Sequence, residues 1–332
     1  MTTCAVVGAG AWGTALADLL ARNGRPVRLW ARERDVVASI NDARVNARFL
    51  PGIALAPAVR ATESLAEAVD GAAVVVLATP SQVLRTVVRS CASHFSREAI
   101  QVVASKGIER DSLMVMTEVV AAELPGHGVV ALSGPSFAAE VAARQPTAIV
   151  AASDDAAAAE LAQQTFSSPE FRVYTHDDVT GVELGGALKN VMAVATGIAE
   201  GLGLGFNSRA ALITRGLAEM SRLGVAAGAQ AATFAGLAGL GDLVLTCTGA
   251  LSRNRAIGME IGRGATLEQA LAGKQTVAEG IDTTRSARAL ARRQGVEMPI
   301  VNAVFRILFE GSPARDAIAE LMTRELRQER DQ

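Results

Sequence analysis

Lys189 is the residue in this chain best placed by its surroundings to move a proton. It stands near the middle of Gly181-Val182-Glu183-Leu184-Gly185-Gly186-Ala187-Leu188-Lys189-Asn190-Val191-Met192-Ala193-Val194-Ala195, an apolar run with helical periodicity. Gly185, Gly186 and Ala193 lie one turn away, so little bulk shields the ammonium. Two glycines cost a helix about 1 kcal/mol each relative to Ala, and close approach of a ligand or of another helix would compensate. A lysine desolvated there has a lowered pKa and serves as a proton acceptor near neutrality. The bland alternative is a lysine snorkelling from a helix edge. Asp242, in Gly239-Leu240-Gly241-Asp242, needs a partner if it is buried, and Lys189 suits it. Further on, Ser252-Arg253-Asn254 offers a hydroxyl, a guanidinium and a carboxamide at a helix start. By type that is an oxyanion or phosphate site, while Ser252 alone reads equally well as an N-cap.

A second set of residues has phosphate chemistry of another kind. The apolar run Cys4-Ala5-Val6-Val7 leads directly into Gly8-Ala9-Gly10-Ala11-Trp12-Gly13. Ala15, Leu16, Leu19 and Leu20 then recur at helical spacing until Asn23-Gly24, and Val27-Arg28-Leu29-Trp30 follows as a strand. This is strand, G-x-G-x-x-G, helix, strand, within the ~30 residues of a βαβ dinucleotide-binding unit. Gly8 permits the tight turn, Gly10 lets the backbone approach a pyrophosphate, and Gly13 allows close helix–strand packing. The helix N-terminus supplies N–H groups and a positive dipole end. An NAD site usually places an acid at the end of the second strand, whereas arginine accommodates a 2′-phosphate. Here Ala31-Arg32-Glu33-Arg34 follows, which favours NADPH; Glu33 within reach of the ribose keeps NADH open, and a solvated charged turn is the bland reading.

These residues need elements to hold them. Apolar runs at Val74–Ala78, Gln101–Ala104, Val129–Leu132, Thr147–Ala152 and Phe171–Tyr174 read as strands of a parallel sheet, the first of them buried on both faces. Thr79-Pro80, Lys106 and Gly134-Pro135-Ser136 fall just beyond strand ends, where sites of such sheets lie. From Val179 onward helical periodicity takes over, and Leu243-Val244-Leu245 is the one short β-like run left. The expected organisation is α/β: an N-terminal Rossmann-type, mostly parallel sheet domain over residues 1–177 and an all-helical domain over 178–332. His176-Asp177 imitates the His–Asp pair of lactate-type dehydrogenases in sequence, but adjacent loop residues do not make that pair.

Composition excludes several other classes. A chain of 332 residues with half of them apolar can bury a large core. A net charge of −2 and a pI near 6.0 leave no electrostatic footprint for nucleic acid or an anionic membrane. Three cysteines, Cys4, Cys91 and Cys247, without metal-ligand spacing read as reduced, buried thiols of a cytoplasmic protein, and no metal is expected. The low-charge stretch from Val225 to Leu240 reaches Asp242 before it could span a bilayer, and a strand beginning at residue 4 leaves no room for a signal peptide.

Taken in order, the motifs resemble the bacterial-type NAD(P)-dependent glycerol-3-phosphate dehydrogenase family. The likeness is carried by residues 8–16, by Asn46 to Pro51, Ser105-Lys106-Gly107 and Ser133 to Ala138. It continues through Leu184 to Val191, Leu212 to Leu223, Gly239 to Thr248, Ser252-Arg253-Asn254 and Val277-Ala278-Glu279-Gly280. The resemblance implies a helical domain like the C-terminal one of 6-phosphogluconate dehydrogenase. It implies reversible conversion of dihydroxyacetone phosphate and sn-glycerol 3-phosphate, supplying phospholipid synthesis. It makes Lys189 the proton acceptor, with Lys106 and Asp242 tuning it. It assigns Lys106, Gly134, Ser136, Lys189, Asp242, Ser252, Arg253 and Asn254 to the substrate. To the dinucleotide it assigns Ala11, Trp12, Arg32, Lys106, Ala138, Arg253, Val277 and Glu279, beside the three glycines. Ala11 departs from the Ser frequent in the family and loses a hydroxyl near the pyrophosphate; Ser136 replaces a frequent Thr and keeps one. The expected partner is the small-molecule substrate, and a homodimer is the assembly to test. The rival readings are another hydroxy-acid dehydrogenase of the same architecture, which the phosphate-binding trio disfavours, and a non-catalytic dinucleotide sensor, which the Lys106/Lys189/Asp242 set disfavours.

The absent acid and the two cations after Trp30 generate a test. Arg32→Ala is expected to weaken NADPH far more than NADH in fluorescence titrations, because only NADPH carries the 2′-phosphate. Equal losses would assign Arg32 to the shared part of the dinucleotide.

Overall fold

A computed structural model of the chain describes residues 2–273, 278–323, 325 and 328. The chain forms two compact units, residues 1–106 with 114–182 and residues 107–113 with 183–332.

The first unit is built on ten strands. Eight form the main sheet: β1 (Cys4–Val7), β2 (Val27–Trp30), β5 (Val59–Thr62), β6 (Val74–Leu77), β7 (Ile100–Val103), β8 (Val129–Ser133), β9 (Thr147–Ala152) and β10 (Phe171–His176). β3 (Val45–Asn46) and β4 (Leu50–Ala54) pair antiparallel as a separate ribbon. The main sheet runs β10-β9-β8-β7-β6-β1-β2-β5 and is parallel except between β8 and β9. The chain leaves β1 toward β2 and β5, then returns to place β6 on the other side of β1. This reversal is the switch point at which such sheets open a crevice for a ligand. β1 is fully buried and alternates between two cores. Cys4 and Val6 pack with Leu16, Leu20, Leu29 and Phe166, whereas Ala5 and Val7 pack with Leu84, Val88, Met116 and Val120. Burial of each such Leu or Phe contributes roughly 1.5–3 kcal/mol. Helices α1 (Ala11–Arg22), α2 (Arg34–Ala43), α3 (Leu65–Val69), α4 (Leu84–Cys91), α5 (Met116–Glu123), α6 (Ala138–Ala142) and α7 (Ala156–Phe166) make the connections. The short edge strand β5 and the ribbon have no counterpart in the sequence reading. Val59-Arg60-Ala61-Thr62 buries only alternate residues and is too brief and polar to stand out as a core strand.

The second unit is helical among the described residues: α8 (Val179–Gly201, whose first four residues belong to the first unit), α9 (Phe206–Ala226), α10 (Ala231–Phe234), a π-turn at Leu237–Gly241, α11 (Asp242–Thr248), α12 (Arg253–Gly262), α13 (Leu267–Leu271), α14 (Glu279–Arg293), α15 (Pro299–Phe309) and α16 (Ala314–Met322). The β-like run Leu243–Leu245 is therefore helix, because Asp242 and Thr246 face inward at i,i+4 spacing and set a helical rather than alternating burial. Residues Ala231–Thr248 are apolar enough to cross a membrane by length and composition, but they are divided among α10, the π-turn and α11. The segment 107–113 is held on α14 by an Arg110–Asp282 ion pair at 2.8 Å and an Arg293-to-Ser112 carbonyl hydrogen bond at 3.4 Å.

The packing of α8 on α12 rests on glycine. Gly197 and Gly201 face Gly258 and Gly262, and a methyl group on Gly197 would lie 2.1 Å from the Arg255 carbonyl oxygen. One on Gly262 would lie 2.2 Å from that of Ile198. Only hydrogen fits at these crossings, so the two backbones touch.

A buried acid holds α15. The carboxylate of Glu219 on α9 accepts the backbone N–H groups of Ile300 at 2.7 Å and Val301 at 3.4 Å, which satisfies donors that a helix start leaves open. Burial pushes its pKa up to about 7, against the opposing pull of those N–H groups. A carboxyl whose folded pKa is raised stabilises most when protonated, so its contribution is lost as pH rises from about 4.5 to about 7. Thermal or urea denaturation of wild type and Glu219→Gln across that window should show wild type losing stability relative to the variant by on the order of 3 kcal/mol. A constant difference would mean that the carboxyl is ionised throughout.

Candidate active site

In the first unit, the sequence-selected residues lie along one edge of the sheet, at the carboxyl ends of the adjacent strands β1, β6, β7 and β8. Gly8 has φ +118°, and a Cβ there would sit 2.8 Å from the Ala78 carbonyl oxygen at the end of β6. A Cβ on Gly13 would come within 1.9 Å of the Gly8 carbonyl oxygen, so α1 lies directly against the loop. Gly10 is different: a Cβ there would meet nothing within 4 Å. Gly10 is the N-cap of α1, which has no side-chain cap and no acid in its first turn. Ala11 opens the helix, and the indole N–H of the next residue, Trp12, is buried without a protein partner among the described residues. Open space at Gly10, an uncapped helix start and an orphaned donor together fit the anionic middle of a dinucleotide.

Sequence reasoning gave no role to the residue that holds this loop in shape. Asn46 is fully buried. Its Nδ2 donates to the Ala9 carbonyl and to Thr14 Oγ1, both at 2.8 Å, and its Oδ1 accepts from Phe49 N–H at 3.0 Å. The buried Asn ties the ribbon to the glycine loop. Its position inside Asn46-Ala47-Arg48-Phe49-Leu50-Pro51, a stretch carrying the family likeness, was the available signal.

At the end of β2, Arg32 is exposed and pairs with Glu33 at 3.0 Å, while Arg34 pairs with Glu63 at 3.1 Å. Exposed pairs of this kind are weak and give way readily to a phosphate. Further along the edge, Lys106 Nζ donates to the Gly134 carbonyl at 3.1 Å and Ser136 Oγ donates to the same oxygen at 3.0 Å. Lys106, Gly134 and Ser136 thus meet at one point, and Ala138 opens α6 two residues on.

In the second unit, Lys189 and Asp242 form a buried ion pair. Lys189 is 8% and Asp242 1% exposed, and Nζ lies 2.5 Å from Oδ1. Nζ also donates to Thr246 Oγ1 at 2.9 Å, and that hydroxyl donates to the Asp242 carbonyl at 2.7 Å. Thr246 is a site residue that the sequence reading passed over; its spacing of four from Asp242 on one helix was the signal. Gly185 makes room for the approach of the π-turn, since a Cβ there would lie 2.6 Å from the Ala238 carbonyl oxygen. A π-turn entering α11 at Asp242 is a common mark of a functional position.

The phosphate-type trio opens α12. Ser252 is its N-cap, accepting from Arg255 N–H at 3.3 Å. Arg253 stands at the helix start, where desolvation lowers its pKa and the Glu279 carboxylate counteracts that shift. The side chain of Asn254 is buried and bonded to Asn190 on α8 at 2.9 Å and to the backbone of Gly280 on α14 at 3.0 Å. Ser252, Arg253 and Asn254 therefore gather with Glu279 around the starts of α12 and α14. Val277 lies outside the described residues. His176 Nδ1 accepts the Asp178 backbone N–H at 2.9 Å and lies 3.3 Å from the exposed Asp177 carboxylate.

The arrangement comprises a dinucleotide-type loop, a buried lysine–carboxylate pair and a cationic, amide-bearing helix start. Comparison with known proteins identifies the family. The model for the N-terminus of NAD-dependent glycerol-3-phosphate dehydrogenase matches residues 3–159, and that for its C-terminus matches residues 178–319. The chain is 58% identical over 328 residues to a glycerol-3-phosphate dehydrogenase [NAD(P)+] of Geobacter sulfurreducens, with 98% of each covered. It is 51% identical over 327 residues to one from Nitratidesulfovibrio vulgaris, covering 98% and 99%. The crystal structure of a glycerol-3-phosphate dehydrogenase from Coxiella burnetii superimposes with a TM-score of 0.94 at 41% identity, covering 97% of this chain and 99% of that one. Matches of this extent and identity place the chain in the NAD-dependent glycerol-3-phosphate dehydrogenase family.

Proposed function

We propose that the chain is an NAD(P)-dependent sn-glycerol-3-phosphate dehydrogenase that interconverts dihydroxyacetone phosphate and glycerol 3-phosphate and supplies the latter for phospholipid synthesis. The observation that carries this reading is the buried Lys189–Asp242 pair, standing in a chain that matches the family over residues 3–159 and 178–319. In this reading residues 1–177 bind the dinucleotide and residues 178–332 provide substrate binding and catalysis.

A nicotinamide, when bound, would supply the hydride for C2 of the ketone. The Lys189 ammonium gives the matching proton to the carbonyl oxygen, and in the reverse direction the neutral amine takes it from the C2 hydroxyl. Asp242 and Thr246 hold Nζ in one place, so the proton is delivered without reorganisation. Lys106, with Gly134 and Ser136, binds substrate beside the cofactor. Arg253 and Asn254 anchor the phosphate, and this remote binding energy positions C2. The backbone at Gly8, Gly10, Ala11 and Gly13 would hold the pyrophosphate, and Trp12, Ala138, Val277 and Glu279 are the further positions that the family resemblance gives to the dinucleotide. Arg32 would receive the 2′-phosphate of NADPH, the favoured cofactor. We place the enzyme in the cytoplasm, and light scattering would test for a homodimer.

Spectrophotometric turnover of dihydroxyacetone phosphate with NADPH and with NADH tests the function directly. Turnover of a different keto acid alone would favour another hydroxy-acid dehydrogenase, and cofactor binding without any turnover would favour a sensor.

Two variants separate the roles of the helical unit. Lys189→Ala should lower kcat by at least the ~10²–10⁴ that general acid–base catalysis supplies, with NADPH affinity near wild type. Lys189→Arg should not rescue it, because a guanidinium keeps its proton. Normal turnover would transfer the proton to another group, Lys106 first. Arg253→Ala should act mainly on KM for dihydroxyacetone phosphate, since losing a charge-assisted contact costs roughly 1.5–3 kcal/mol, tenfold or more in kcat/KM. An unchanged KM and kcat/KM would remove Arg253 from the site.

A further inference from the structure

The carboxamide of Asn254 belongs to a directional chain of hydrogen bonds that crosses three helices. Gly280 N–H on α14 donates to Asn254 Oδ1 at 3.0 Å; Asn254 Nδ2 donates to Asn190 Oδ1 at 2.9 Å; Asn190 Nδ2 donates to the Gly186 carbonyl at 3.4 Å. Both ends of this chain are fixed by chemistry. A backbone N–H can only donate, so the atom of Asn254 facing Gly280 must be oxygen. A backbone carbonyl can only accept, so the atom of Asn190 facing Gly186 must be nitrogen. The orientation of both amides follows, and neither can flip without breaking the sequence. Gly280 is suited to its place, because a Cβ there would lie 2.7 Å from the Asn190 carbonyl oxygen and 2.9 Å from Asn254 Oδ1. Asn190 and Asn254 are buried, at 6% and 8% exposure, so water does not readily substitute for a lost partner.

We infer that Asn190 is a positioning residue for phosphate recognition, acting through Asn254. Asn254 has two N–H hydrogens, and Asn190 takes one of them. Among the described residues the other has no protein partner, and it is the one an anion can use. If the amide turned over, it would present a carbonyl oxygen to the phosphate and convert attraction into repulsion. Asn190 prevents this by offering only an acceptor to the inner side of Asn254. Its neighbour Lys189 handles the proton, so consecutive residues on α8 serve the two ends of the substrate.

The inference rests on the reading of Arg253 and Asn254 as the phosphate anchor. Its test compares dihydroxyacetone phosphate with dihydroxyacetone, which lacks the phosphate, at saturating NADPH. Asn190→Ala is expected to reduce kcat/KM for the phosphorylated substrate about tenfold, mostly through KM. It should leave the slow turnover of dihydroxyacetone unchanged. Asn190→Ala/Asn254→Ala should be no worse than Asn254→Ala alone, because the first residue works through the second. Should the alanine variant melt below assay temperature, Asn190→Ser, which keeps a polar group in the same space, repeats the comparison. Equal losses on both substrates, or additive losses in the double variant, would overturn the relay and make Asn190 a general structural residue. A wild-type enzyme showing no preference for the phosphorylated substrate would instead undo the underlying reading of the anchor.

Discussion

The ion pair of Lys189 and Asp242 is the constraint on which the helical unit depends. Two charges taken out of water cost several kcal/mol each, and their attraction compensates only when the geometry is close and the remaining hydrogen-bonding capacity is used. Here a 2.5 Å contact and the bridging hydroxyl of Thr246 meet that condition. Removing either partner would leave a buried charge uncompensated, at about 3–5 kcal/mol. The pair therefore cannot be loosened by degrees, and the segments bearing it must be held to fractions of an ångström. The missing side chain at Gly185 lets the π-turn pack on α8, which carries Asp242 to Lys189. The chemistry and the packing impose the same requirement on the backbone.

A similar economy of bulk brings the phosphate-type residues into range. α8 and α12 touch backbone to backbone through Gly197, Gly201, Gly258 and Gly262. That contact brings Asn254, near the start of α12, within 2.9 Å of Asn190 on α8. The long, mostly apolar α8 thus presents two consecutive polar residues to two different helices, Lys189 to α11 and Asn190 to α12. Glycine spacing sets the helix separation, and the separation decides which polar atoms can meet.

Much of this was legible in the order of residues. The glycine-rich turn after β1, the continuous apolar run of β6 and the helical periodicity after Val179 each reflect a local rule that tertiary structure has no reason to override. Lys189 and Asp242 stood out because charges in apolar runs need partners. The residues that escaped notice are uncharged: Asn46, Thr246 and Asn190. Amides and hydroxyls are common at surfaces and helix caps, and their importance here comes from burial plus a partner distant in sequence, such as Ala9 for Asn46 or Asn254 for Asn190. No local pattern encodes that. The edge strand β5 escaped for a related reason, since Arg60 on its open face breaks the apolar run that marks a central strand.

On the proposed function, the starts of α1 and α12 solve the same electrostatic problem in two ways. The start of α1 has no side-chain cap, so its backbone N–H groups and dipole face outward and side chains need only stay out of the way. The start of α12 is capped by its own Ser252, which uses one of those donors and, on the proposed reading, leaves recognition to Arg253 and Asn254. Backbone recognition suits the middle of a dinucleotide, a group shared by NADH and NADPH, because it takes a phosphate of either without regard to what is attached. Side-chain recognition suits a small substrate, because a guanidinium and an amide held in one orientation respond to where the phosphate sits relative to the reacting carbon. The more selective site therefore needs the more elaborate support. Asn254 is tied to Asn190 and Gly280 for that reason, whereas Gly10 needs only empty space around it.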